Sequence, residues 1–215
     1  EQDSRNNISR RDNCWKLFRV PVSFEEKKLE IDPYLLGLWI GDGTTAAPNI
    51  TSMDREIIDY CKYIAPEYGL KAKITKDKSK AVKISLTHEV HKRPNILKSF
   101  LREKCIIDGK KNIPINFLIN SEQNRLRLLA GIIDTDGGFD PGGSCVVVSV
   151  LKRLAEQYAF LARSLGFAAY IKKRKTGIKS TGYVGEAYAV HLSGDFSKIP
   201  CLLPRKQMKP RRQIK

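Results

Sequence analysis

Metal-binding and cross-linking residues are scarce in this sequence, and so is acid. Its five cysteines, Cys14, Cys61, Cys105, Cys145 and Cys201, include no C-x-x-C pair. The only histidines, His88, His91 and His191, are not spaced with them as zinc ligands would be. This excludes a zinc module and a disulfide framework, and an odd number of scattered thiols fits reduced cysteines in an intracellular protein. No apolar run approaches the roughly 20 residues that span a bilayer. The opening stretch, interrupted by Arg5, Arg10 and Arg11, has no signal-peptide pattern. A soluble chain without a membrane partner is expected. Only 23 Asp and Glu stand against 39 Lys and Arg, a net charge of +16. Such an excess points to a polyanion, nucleic acid first, although a merely basic protein has the same composition. The 215 residues suffice for one large domain or two small ones sharing a core.

What is present is a duplication. Leu35-Leu36-Gly37-Leu38-Trp39-Ile40-Gly41-Asp42-Gly43 is echoed by Leu129-Ala130-Gly131-Ile132-Ile133-Asp134-Thr135-Asp136-Gly137, with Asp42 and Asp136 94 positions apart. A helical pattern ending in glycine follows each: Asp54 to Gly69 with Ile57, Ile58, Cys61 and Ile64, then Leu151 to Gly166 with Leu154, Tyr158, Leu161 and Leu165. Alternating segments come next. Leu70 to Ile74 and Val82 to Thr87 read as half-buried strands with Lys71, Lys73, Lys83, Ser85 and Thr87 outward. Ala168 to Lys175 and Glu186 to Ser193 repeat the pattern, with Tyr188, Val190 and Leu192 inward and Ala189, His191 and Ser193 outward. Each copy reads as helix, strand, helix, hairpin, helix. The expectation is an α+β protein of two αβ repeats, residues 32–120 and 121–215, with antiparallel sheets, preceded by an extension, residues 1–31, of unassigned role.

Each nine-residue motif sits at the end of a predicted helix. Asp32-Pro33 starts the first and Ser121-x-x-Asn124 the second, with Gly43 and Gly137 as the stops. Gly37 with Gly41, and Gly131 with Thr135, recur four apart and form a narrow face where another backbone can approach closely. If the two helices pack in parallel, Asp42 and Asp136 end together beside two negative helix termini, a conflict that a divalent cation such as Mg²⁺ resolves. A single such motif would read better as a buried helix with a glycine stop; the second copy, with its acid in the same place, shifts the balance. An EF-hand is excluded because its glycine and glutamate positions fall on Phe139 and Cys145.

The paired motifs resemble the signature of double-motif LAGLIDADG homing endonucleases, and Asp108-Gly109-Lys110-Lys111-Asn112-Ile113-Pro114 resembles that family's intein-borne branch. The resemblance covers roughly residues 32 to 207. It implies pseudo-symmetric αββαββα-type repeats whose sheets form a saddle on double-stranded DNA, with the motif helices at the interface and a monomer cutting both strands of a long asymmetric site. It further implies Asp42 and Asp136 as catalytic metal ligands accompanied by Gly41 and Thr135, Mg²⁺ as cofactor with Mn²⁺ able to substitute, and one lysine per repeat near the scissile phosphates. The matching lysines are Lys111 and Lys206, which follow their aspartates by 69 and 70 positions. An ammonium there could polarise water or stabilise a pentacovalent phosphate. Position 1 is not Cys or Ser, and the last residues hold no His-Asn pair, so the splicing residues of an intein do not lie within this span. A cleavage-inactive binding protein of the same fold, a maturase or regulator, is the alternative. DNA contacts are expected from Lys71, Lys73, Lys76, Lys83, Lys172, Arg174, Lys179, Tyr183 and His191, cations to phosphates and polar groups to base edges. The run Lys172 to Lys175 leads there into a glycine-rich hairpin, Gly177 to Gly185.

Overall fold

The computed structural model describes residues 19–76, 80–88, 93–178 and 183–210. Its first half runs α1 (Pro33–Asp42), β1 (Asn49–Ser52), α2 (Arg55–Ile64), a 3-10 turn (Ala65–Tyr68), β2 (Lys71–Lys76), β3 (Val82–Thr87) and α3 (Ile96–Lys104). A short hairpin, β4 (Ile106–Ile107) with β5 (Lys110–Lys111), and α4 (Ile115–Leu118) lead to the second half. That half comprises α5 (Glu122–Asp136), β6 (Gly137–Phe139), β7 (Cys145–Ser149), α6 (Lys152–Ser164), β8 (Ala168–Ile178) and β9 (Tyr183–Ser193), then 3-10 turns at Phe196–Lys198 and Pro204–Lys206. The sheets are antiparallel, ordered β1-β3-β2 and β6-β7-β9-β8. An isolated bridge from Gly43 to Ile50 stands where β6 stands in the second sheet, so both sheets have their innermost strand directly after a motif aspartate. The outermost strands are β2 and β8.

Sequence explains most boundaries. Asp32 caps α1 by accepting from Tyr34 and Leu35 amides, with Pro33 at the first helical position, and Ser121 caps α5 by accepting from Asn124. The helix expected from Asp54 to Gly69 is divided: Pro66 offers no amide, so α2 stops at Ile64 and a 3-10 turn carries the chain to Gly69 at φ 65°. Gly43 and Gly137 do end their helices, but in extended conformation, φ −81° and −78°, rather than left-handed. Their smallness matters instead, because a Cβ would lie 2.3 Å from the Trp39 carbonyl oxygen at Gly43 and 2.7 Å from that of Ile133 at Gly137.

Three expectations are corrected. The second repeat has two strands after its motif, and among the described residues no helix follows β9; Pro200 and Pro204 leave room for 3-10 turns only. Ala189, expected outward, is 2% exposed: its register neighbours on that face include Lys172, whose long stem can cover a methyl group. Gly177 and Gly185 lie inside β8 and β9, opposite Val184 and Thr176, so the hairpin is shorter than its glycines suggested.

One hydrophobic core runs through both halves, from Leu36, Trp39, Ile57 and Ile84 to Leu128, Ile133, Tyr158 and Leu192. The segment before α1 belongs to the far half. The Val22 amide donates to Ser164 O (2.9 Å), Lys27 exchanges backbone hydrogen bonds with the Asn120 side chain, and buried Arg125 donates to Val22 O (2.6 Å) while stacking on Phe24. The same guanidinium donates to Ser164 O, Ser164 Oγ and Asn120 O, so its burial is matched by acceptors. No helix among the described residues is long and apolar enough to cross a membrane.

Candidate active site and nucleic-acid interface

The site is built on the contact between α1 and α5. A Cβ placed on Gly37 would lie 2.4 Å from Leu128 O and 2.9 Å from Gly131 Cα; one on Gly131 would lie 2.4 Å from Tyr34 O. Only glycine permits that approach. Further along, a Cβ on Gly41 would lie 2.0 Å from Thr135 Oγ1 and 3.3 Å from Asp136 Oδ2. The contacts advance together along both helices, so the helices are parallel and Asp42 and Asp136 finish side by side. The Thr135 hydroxyl donates back to Gly131 O and Ile132 O (2.9 and 3.0 Å), which keeps it out of the way. The Tyr34 hydroxyl crosses the interface to donate to Asp134 Oδ2 (2.7 Å), which also accepts from the Leu202 amide (2.7 Å). Asp134 is therefore a buried tie between α1, α5 and the C-terminal segment, although it stands only two residues from the motif's last acid.

Both motif aspartates reach solvent, yet burial raises each above the ordinary carboxylate range. Asp136 is pushed up to about 6, by burial first and then by the charge of Asp42. Asp42 shifts the same way, with Asp54 adding to the effect of burial, and both lysines oppose the rise at each acid. The lysines themselves occupy matched positions. Lys111 Nζ donates to Trp39 O (2.8 Å), Ile40 O (2.9 Å) and Gly41 O (3.3 Å), with the Trp39 ring 5.0 Å away. Lys206 Nζ donates to Ile133 O (2.6 Å), Asp134 O (2.7 Å) and Thr135 O (3.4 Å). Each ammonium thus sits on the negative end of its own motif helix, a stabilising place for a cation. Burial lowers both; Lys111 falls to about 8, with Asp136 and Asp42 opposing the fall. The lysines expected near a phosphate are thus also helix caps, a role their spacing did not disclose.

Among the described residues no group of three or more His, Cys, Asp or Glu is arranged to hold a metal. The donor set is two carboxylates and the helix-end carbonyls of Gly41 and Thr135, which make the longest of the lysine contacts. All are oxygens. That set fits a hard divalent cation that relies on few protein groups and completes its shell with phosphate and water.

The sheets sort the remaining candidates by register, because residues directly opposite share a face. In the first sheet Lys71, Lys73 and Thr75 lie opposite Thr87, Ser85 and Lys83, and Lys83 and Ser85 lie opposite Thr51 and Asn49. This face carries no acid. Lys76 is corrected: it pairs with Val82 and belongs by alternation to the Ile74, Ile84 and Ile50 face, at its exposed end. In the second sheet Lys172, Arg174 and His191 fall on one face with Tyr170 and Thr176, again without acid. Lys173 points the other way and pairs with Glu186 (2.6 Å). Tyr183 pairs with Ile178 at the end of the hairpin, and Lys179 lies outside the described residues. Tyr170, 63% exposed opposite His191, escaped the sequence reading although its alternation with Lys172 and Arg174 could have found it.

Residues 112–199 match the family model described as homing endonuclease. The fold is that of the homing endonuclease I-DmoI: its complex with DNA and Ca superposes with TM-score 0.56 at 16% identity, covering 81% of this chain and 94% of that one, and a mesophilic variant gives 0.52 at 15%, covering 75% and 87%. In sequence the chain is 28% identical over 164 residues to the homothallic switching endonuclease of Saccharomyces cerevisiae, covering 66% of this chain. It is 34% identical over 146 residues to the replicative DNA helicase DnaB of Mycobacterium intracellulare, covering 68%. The chain spans 28% and 21% of the length of those two relatives. The likeness to homing endonucleases therefore lies in residues 112–199 by sequence model and in most of the chain by fold.

Proposed function

We propose that this chain binds a long asymmetric duplex DNA site along the outward faces of its two sheets and hydrolyses one phosphodiester in each strand between Asp42 and Asp136. The observation that carries the reading is the meeting of two motif helices at Gly37 and Gly131, which brings two partly buried carboxylates together at two lysine-capped helix ends. A chain with no catalytic role has no need to hold like charges there. A divalent cation, Mg²⁺ or a substitute such as Mn²⁺, would be held by Asp42 and Asp136 with the carbonyls of Gly41 and Thr135, and would supply charge neutralisation and a more acidic water at the phosphate. The chain's own part is to align the two scissile phosphates over the acid pair. The acid-free faces, with Lys71, Lys73 and Lys83 on one sheet and Lys172, Arg174 and His191 on the other, hold the backbone and read bases in a groove.

We further read the two units as pseudo-symmetric halves of a monomer and the chain as the intein-borne kind. A likeness confined to a fifth of a mycobacterial replicative helicase supports an insert with a function of its own. The decisive experiment incubates the protein with a randomised duplex library and Mg²⁺ and sequences the ends. One recurrent pair of cuts is expected. Recovery of bound but uncut duplexes would instead favour a cleavage-inactive DNA-binding protein of the same fold.

A further inference from the structure

Lys111 and Lys206 hold equivalent places but are carried there differently. Lys111 lies on β5, paired through Ile106 to β4, and the next residue continues the ladder from Asn112 N to Cys105 O (2.8 Å). Lys206 ends a three-residue 3-10 turn with no strand on either side. Besides the buried Cys201 and Leu203 and the contacts of Lys206 itself, that segment is held by the Leu202 amide on Asp134 and by a two-pronged ion pair to the opposite unit. In that pair Arg205 donates from both terminal nitrogens to Asp54, at 2.5 and 2.8 Å.

Asp54 is the N-cap residue of α2, in extended conformation at φ −84° and ψ 126°, yet its carboxylate accepts nothing from its own helix. Among the described residues every other Asp, Asn or Ser at an N-cap (Asp32, Asn95, Ser121, Asp195) does accept from a following amide. Asp54 forgoes the cap and faces Arg205. Its side chain is 18% exposed against 58% for arginine, so the better-shielded partner is the acid, and Arg205 holds it below the ordinary carboxylate range. Lys111 has a tie of another kind: Gln157 of α6 accepts from Ile113 N (3.1 Å) and donates to Asn112 Oδ1 (3.0 Å) and Ile113 O (2.9 Å), with no ion pair among the described residues. The residue before it, Lys110, is exposed, and the N-cap of α6 is Leu151.

We propose that the Asp54–Arg205 ion pair is a positioning clamp that holds Lys206 over the end of the second motif helix. It reaches from one unit to the other and serves only one of the two lysines, so its loss slows cutting of one strand selectively. Arg205 acts through Lys206 and is a positioning residue.

The inference rests on the proposed cleavage, so its test has one arm that needs no cleavage. Amide hydrogen exchange across residues 200–208 is compared in the full chain and in Arg205→Ala, Asp54→Asn and the swap Asp54→Arg with Arg205→Asp, beside strand-resolved cutting of a duplex recovered from the library. Either single change should speed exchange in this segment and slow one strand about three- to tenfold, the scale of a well-oriented but partly exposed ion pair, with DNA affinity kept within about twofold. The swap should recover much of both. Unchanged exchange in Arg205→Ala overturns the clamp, as does equal slowing of both strands. Loss of all cutting in Asp54→Asn beside normal cutting in Arg205→Ala also overturns it, because Asp54 would then act at the phosphate itself. If the unaltered chain cuts nothing, the cleavage reading fails and the exchange arm alone decides whether the turn is clamped.

Discussion

Asp136→Asn tests the conflict of charge on which the site is built. Burial and the Asp42 charge move the Asp136 carboxyl from its ordinary 3.8 to about 6. A displacement of about two units corresponds to roughly 3 kcal/mol against the charged form, but the residue is partly open to solvent, and screening reduces this to about 1–2 kcal/mol. The sign follows from proton binding. Between pH 4 and 6 the folded chain holds a proton on Asp136 that the unfolded chain has lost, so the group's contribution to stability falls as pH rises through that window and stays unfavourable above it. Asparagine carries no charge at any pH. In urea melts with chelator at pH 8 the variant should therefore be about 1–2 kcal/mol more stable than the unaltered chain, and the gain should vanish near pH 4. Added Mg²⁺ should stabilise the unaltered chain and not the variant, since a ligand of the folded state raises stability by mass action. On DNA the variant should bind as well or better and cut neither strand. A variant that is less stable at pH 8, or whose gain is the same at pH 4, refutes the repulsion.

Three shorter predictions follow from the same geometry. Gly37→Ala sets a Cβ 2.4 Å from Leu128 O and forces α1 and α5 apart; a loss of about 1–3 kcal/mol in urea melts is expected, with cutting reduced beyond any effect on binding. Near-normal stability and rate would show that the helices do not need this approach. Arg174→Ala or Lys83→Ala should flatten the logarithmic salt dependence of DNA binding by about one unit, whereas Lys173→Ala, whose partner is Glu186 on the other face, should leave it unchanged; identical slopes for all three would remove the assignment of faces. Lys111→Ala strips the cation from the Trp39, Ile40 and Gly41 carbonyls, so the rate at saturating DNA should fall far more than affinity; equal losses in both would make Lys111 an ordinary phosphate contact.

What the sequence disclosed is what repeats at fixed spacing. The small residues at Gly37, Gly41, Gly131 and Thr135 announce a close helix contact, because backbone approach depends only on the absence of side-chain volume at positions that share a helix face. The alternation of Lys71, Lys73 and Lys83, and of Lys172 and Arg174, announces exposed strand faces for a similar reason. Lys76 stands apart because alternation fixes parity, and its position on β2 shares a face with Ile74 and not with Lys71 and Lys73. Ala189 fails because alternation does not say whether a small residue is covered by larger neighbours. Arg125 and its contacts with Val22 and Phe24 leave no periodic trace, since they join residues about a hundred positions apart through single hydrogen bonds.

The lysines mark the limit more sharply. Their matched distance from Asp42 and Asp136 reveals that they are equivalent, but distance along the chain carries no direction in space. In the folded chain each ammonium points at helix-end carbonyls. That placement brings one positive charge to each acid while leaving the aspartates' own oxygens for a cation, and it ties the height of each lysine to the end of the helix that bears its aspartate. Movement of α1 against α5 would then tend to carry acid and lysine together within each unit, resisted by the Asp54–Arg205 pair that joins the two units. Under the proposed cleavage, the glycine contact at Gly37 and Gly131 would set the spacing of the two cuts, although it lies remote from any phosphate.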